Sequence, residues 1–173
     1  MKLFSVRKSR GFTLIELLIV IALLGALAVG LIGAIDPFEQ LKKGADTGTR
    51  DIVNQVQTAI IRYYSVKNAF PWTGQVSAEN LSGANMVIAI SNMVTAGELK
   101  SDFTTLQRGN LGKVFVTGGS ADNSAVACYM PTSKSFQADP NTKYTDATGA
   151  TEDTAGDTCK SGTGQIDCYW CIR

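Results

Sequence analysis

Histidine is missing from all 173 residues of the chain. Its absence excludes imidazole as a general base and as a metal ligand. Cysteine is missing until position 128; Cys128, Cys159, Cys168 and Cys171 all lie in the last third. Late, clustered cysteines suit an oxidising compartment. Net charge is nearly missing as well, since 16 Lys+Arg against 15 Asp+Glu give +1. That balance gives no reason to expect a nucleic-acid partner. The sharpest absence is local: from Phe12 to Ile35, 24 residues carry one ionisable group, Glu16.

What is present sharpens that picture. Four of the basic residues, Lys2, Arg7, Lys8 and Arg10, fall within the first ten positions, leaving 12 basic against 15 acidic residues for the rest. The apolar run that follows spans roughly 36 Å as a helix, enough to cross a bilayer core. A cleavable secretory signal has a shorter apolar region and small residues at its cut. The run therefore reads as a membrane span, with the basic leader holding the N-terminus in the cytoplasm and the remainder sent across.

Beyond the span, Asp36-Pro37 marks a bend. Helical spacing then resumes, with Ile52, Val53, Val56, Ile60, Tyr63 and Tyr64 on one face and Asn54, Gln55, Gln57 and Arg62 mostly away from it. Pro71 closes this stretch, because the residue before a proline disfavours helix. The expected unit is one long interrupted helix from about Phe12 to Lys67. A polar loop follows, then a shorter helix with Met86, Val87, Ile90, Met93 and Val94 on a shared face. The period next switches to two: Lys113–Gly118, Ser124–Pro131 and Ser133–Ala138 read as strands, and the segment around Cys168–Ile172 as a last one. Residues 139–164, rich in Asp, Thr, Gly and Ser, read as a long surface loop. The fold class is α+β.

The run Gly11-Phe12-Thr13-Leu14-Ile15-Glu16, after a short basic leader and before an unbroken apolar stretch, resembles the class III signal of type IV pilins and type II secretion pseudopilins. A weaker likeness to the stalk helix of the major pseudopilins continues to Trp72. The Gly-x-Tyr-Pro element of that group is replaced here by Asn68-Ala69-Phe70-Pro71. The resemblance implies a pilin-like fold, a long N-terminal helix packed on a small antiparallel sheet. It also implies three parts: a cleaved leader (1–11), a transmembrane and filament-core helix (12–35) and a globular head (36–173) whose stalk helix runs to about 67. A prepilin peptidase would cut between Gly11 and Phe12 and methylate the new amine of Phe12. Glu16 would act in assembly of a helical filament of identical copies, with minor pilins and a membrane assembly platform as further partners. The precursor would sit in the inner membrane, and the filament outside the cytoplasm or at the cell surface.

Physical chemistry supports a role for Glu16 independently. A carboxylate in hydrocarbon is costly and normally has a partner or a function. The amine of Phe12 on an incoming subunit, staggered along the bundle, would supply one. Snorkelling of Glu16 to the headgroups is the simpler rival.

The remaining motifs point to structure rather than chemistry, and no enzymatic role is expected. Cys168 and Cys171 form a Cys-x-x-Cys pair, yet two residues from the end no helix follows to lower a thiol pKa. A four-Cys zinc site usually needs two close pairs, and the spacing offers one. Structural disulfides tying Cys128 to the C-terminal segment are favoured. The acids of the 139–157 loop (Asp139, Asp146, Glu152, Asp153, Asp157) match no calcium-binding spacing, so no cofactor is expected. Lys134, Lys143, Lys160 and Arg173 are too dispersed for a DNA-uptake role. A signal-anchored binding domain is the rival from another class.

Overall fold

A computed structural model describes residues 11–34, 36–154, 159 and 168–173. The basic leader, Ile35 and most of the segment from 155 to 167, with Asp157 and Lys160, lie outside the described residues. The chain divides after Phe38 into two compact units.

The first unit holds α1 (Leu14–Ala34). Its side chains are apolar all round, apart from Glu16, and not one of its described residues is buried. Helix α2 (Pro37–Lys67) opens on a start signal: Pro37 takes the first helical position, where its missing N–H costs nothing. Asp36 caps it, its Oδ1 accepting from the N–H of Phe38 at 3.1 Å. The Asp-Pro pair thus begins a helix as well as ending one.

The second unit, from Glu39 onward, is built on a five-stranded antiparallel sheet of order β1-β2-β3-β5-β4. The strands are β1 (Gln75–Asn80), β2 (Val114–Gly119), β3 (Ser124–Tyr129), β4 (Thr142–Tyr144) and β5 (Tyr169–Ile172). Alternation along them divides the apolar residues into two clusters. Val76, Val114, Val116, Ala127, Tyr129 and Trp170 join Ile52, Val53, Val56 and Ile60 of α2 in the main core. Val126, Cys128, Tyr144 and Cys171 form a second, smaller cluster. Helix α3 (Ala84–Thr95) adds Met86, Ile90 and Met93 to the main core, and the single turn α4 (Phe103–Leu106) adds Phe103.

Several expectations need correction. Ser133–Ala138 is not a strand but the short helix α5 (Lys134–Gln137). The N–H groups of Thr132 and Ser133 are taken by the Asp46 carboxylate, and those of Gln137 and Ala138 by the carbonyls of Ser133 and Lys134. Residues 75–80, read as loop, form β1. Its register shifts between Val76 and Glu79, and Val76 is its one fully buried residue, so the alternation that marks a strand is nearly erased. The loop expected over 139–164 contains β4 and a bridge between Tyr144 and Glu152. Gln57, expected to face away from the α2 core, is buried because its Nε2 donates to the Ala125 carbonyl at 2.8 Å. Val87 is exposed, and Ala89 takes the core position instead.

Candidate functional site

The candidate site at the start of α1 is built by helix-end chemistry. A helix leaves its first N–H groups without partners, and a Thr followed three residues later by Glu can satisfy two of them reciprocally. Thr13 and Glu16 do this. The Thr13 Oγ1 accepts from the N–H of Glu16 at 3.3 Å. Glu16 Oε2 accepts from the N–H of Thr13 at 2.9 Å and from its hydroxyl at 2.7 Å. Both bonds to the carboxylate fall on Oε2, so the charge is partly compensated inside its own chain. Thr13 is the residue that sequence reasoning passed over, although the Thr-x-x-Glu spacing carries the signal.

Gly11 and Phe12 precede the helix without regular structure, and Phe12 is 79% exposed. Non-helical, exposed backbone is the form in which a chain is most readily offered to a protease. Along α1 the large side chains from Leu14 to Ile32 are all exposed. Among the described residues, Leu14–Gly33 is the one helix long and apolar enough to cross a membrane.

The second unit carries a polar seam. Asp46 on α2 is only 3% exposed. It accepts from Thr132 N at 3.1 and 2.9 Å, from Thr132 Oγ1 at 2.9 Å and from Ser133 N at 2.6 Å. Seven residues earlier, the Glu39 carboxylate accepts from Lys134 N; four later, Arg50 pairs with Asp139 at 3.2 Å. The Arg50 guanidinium also lies 4.5 Å from the Trp170 ring centroid. At helical spacing these three residues share a face of α2, and together they fasten the 132–139 segment to it. Burial, reinforced by nearby Asp46, pushes the Tyr129 phenol well above its usual range.

The cysteines form two disulfides, Cys128–Cys171 and Cys159–Cys168, the second nested within the ring closed by the first. Cys128 and Cys171 face each other across β3 and β5, with Cα atoms 4.2 Å apart. Gly149 closes the loop over them at φ +66°. A Cβ there would approach the Val126 Cγ1 at 2.8 Å and both sulfurs of this bridge at 3.2–3.3 Å. Nearby, Asp146 accepts from the hydroxyl and the N–H of Thr148, and the first of these contacts holds its carboxyl below the usual range. No cluster of three or more metal-binding side chains occurs among the described residues.

Residues 6–32 match the prokaryotic N-terminal methylation motif. No curated protein and no solved structure matches the chain. The matched segment runs from the basic leader through the Thr13–Glu16 cap and most of α1. The chain therefore bears, over these residues, the N-terminal methylation motif that is the signature of type IV pilins and pseudopilins.

Proposed function

We propose that the chain is a structural subunit of a type IV pilus or pseudopilus filament, cut between Gly11 and Phe12 by a prepilin peptidase and methylated on Phe12. Its leader would be residues 1–11, its membrane and filament-core segment 12–35, and its head 36–173. The observation that carries this reading is the methylation motif over residues 6–32, which covers most of a helix whose large apolar side chains are exposed. Before assembly lipid covers those side chains; afterwards the equivalent helices of other copies do, beside minor pilins and an assembly platform in the membrane. The Thr13–Glu16 cap lowers the cost of holding the carboxylate in the bilayer. It leaves Oε1 for the amine of Phe12 on the incoming subunit, so docking adds a charge-assisted partner to a group already oriented.

Glu16→Ala is the direct test. Cleavage and methylation, read by N-terminal mass spectrometry, should persist, while filaments seen by electron microscopy disappear. Wild-type filament yield from this variant would remove the docking role. A wild-type chain still beginning at Met1 would remove the processing step. The likeness of the stalk to major pseudopilins favours a secretion filament as the second reading, with short periplasmic polymers in place of long surface fibres.

A further inference from the structure

The second unit begins at Glu39, and the residues around that start carry charge that the head leaves unused. Glu39 joins the opening of α2 to the 132–139 segment, its carboxylate accepting from the N–H of Lys134. Lys42 and Lys43 follow Glu39 by three and four residues, the spacing that makes side chains neighbours on a helix. Lys42, Lys43 and Lys134 therefore gather at one end of the unit. All three are exposed, and none forms an ion pair among the described residues. Arg50, Arg62 and Lys143, by contrast, each hold an acid.

The acids nearby are engaged otherwise. Asp36 accepts from the N–H of Phe38, and Asp46 from Thr132 and Ser133. These donors, like that of Lys134, are backbone or hydroxyl groups, so the bonds hold the carboxylates against the chain and use no lysine ammonium. Apolar residues adjoin the lysines in sequence: Leu41 is 70% exposed, and Phe38, the last residue of the first unit, 74%. Exposed Leu and Phe beside lysine is the composition of a segment at a bilayer surface, where apolar groups enter the acyl boundary and ammoniums reach the headgroups. Leu14–Gly33 is about 30 Å long as a helix, the thickness of a hydrocarbon core, so across a bilayer the chain that follows emerges among headgroups.

On the reading of α1 as a membrane span, we infer that this end of the second unit binds anionic phospholipid before assembly. Lys42, Lys43 and Lys134 take headgroup phosphates on the extracytoplasmic side, and Leu41 enters the acyl boundary. A head tethered to its span never leaves these lipids, whereas an acidic protein or a second copy has to arrive by diffusion. Effective concentration therefore favours the lipid. Close to an anionic surface each lysine strengthens binding about fivefold, and salt screens the gain.

The test reconstitutes the full chain into vesicles of phosphatidylcholine, alone or with about one-third phosphatidylglycerol. A membrane-impermeant amine reagent then labels the lysines, and mass spectrometry reads each one. Lys42, Lys43 and Lys134 should label about fivefold more slowly in the anionic vesicles, with Lys67, Lys100 and Lys113 as internal standards. Salt at about 0.5 M should restore them. In the double variant Lys42→Gln, Lys43→Gln, the protection of Lys134 should fall to about twofold or less, with thermal unfolding unchanged because no partner is lost. Full protection of Lys134 in that variant would overturn the shared surface. Protection that persists in phosphatidylcholine alone and resists salt would also overturn it, and would assign this end to contact between copies. A chain that floats with phosphatidylcholine vesicles but labels equally in both kinds removes the lipid surface alone. One that does not float removes the span reading, and the lipid surface with it.

Discussion

Asp46 and Glu16 each put a carboxylate where charge is penalised, and each is met by donors from its own chain. Their surroundings set different consequences. Asp46 is buried at a seam, so removing it strands the N–H groups of Thr132 and Ser133, the latter fully buried. Asp46→Ala should cost about 3 kcal/mol in thermal unfolding of the second unit, the sum of the lost bonds and two unsatisfied donors. A loss below about 0.5 kcal/mol would mean that water replaces the carboxylate there. Tyr129 gives a pH signature beside it. In the unfolded chain its phenol ionises near 10, whereas burial keeps it protonated in the fold well above that pH. The raised value therefore contributes stability that is complete below about pH 10 and is lost as pH climbs further, by at most about 1.4 kcal/mol per pH unit. Tyr129→Phe should flatten that alkaline decline in denaturant melts between pH 9 and 11, windows set by the same ionisation. An unchanged slope would place the ionising group elsewhere. The hydroxyl has no hydrogen-bond partner among the described residues, so its removal should cost little at neutral pH.

At the scale of elements, legibility followed the strength of the periodic signal. Helices α1 and α2 and strands β2 and β3 carry long, consistent apolar patterns, and each stands close to the expected place. β1 was hidden because its bulge breaks the alternation, and β4 because three residues are too few to show any period. α5 was misread as a strand because the contacts that decide it come from Asp46, more than 80 residues away in sequence. Long-range side-chain bonds of this kind leave no local pattern. At the N-terminus, Gly11, Phe12 and Glu16 lie in one short stretch that the methylation motif covers, whereas the reciprocal cap by Thr13 is a matter of geometry. The two disulfides act on the same C-terminal elements with unequal reach. Cys128–Cys171 closes a separation of 43 residues and Cys159–Cys168 one of 9. Loop-closure entropy then predicts that replacing the first pair by alanine costs about 4 kcal/mol and the second about 2.5 kcal/mol. Chemical denaturation of the two double variants checks the order. Equal losses would show that native contacts, such as the seat of Gly149 on the sulfurs, outweigh the entropy of the unfolded ring.

The whole molecule separates two kinds of apolar surface. Every residue of both core clusters lies beyond Glu39, while α1 exposes its large side chains along its full length. A chain this size can close one core, and the described residues of that core all belong to the second unit. In the proposed filament, lipid and then the equivalent helices of other copies would bury the α1 side chains, since leaving them in water costs about 25 cal/mol for each Å² of apolar surface. The consequence is testable by truncation at the division. A chain of residues 39–173, produced with its disulfides formed, should retain Glu39, Asp46 and Arg50 on the 132–139 segment and therefore unfold cooperatively. It should stay monomeric in sedimentation at concentrations where the full chain needs detergent, and it should form no filaments. Loss of cooperative unfolding would show that α1 contributes to the head's stability. Filaments from the truncated chain would move the assembly determinant into the head and leave the exposed helix serving as an anchor alone.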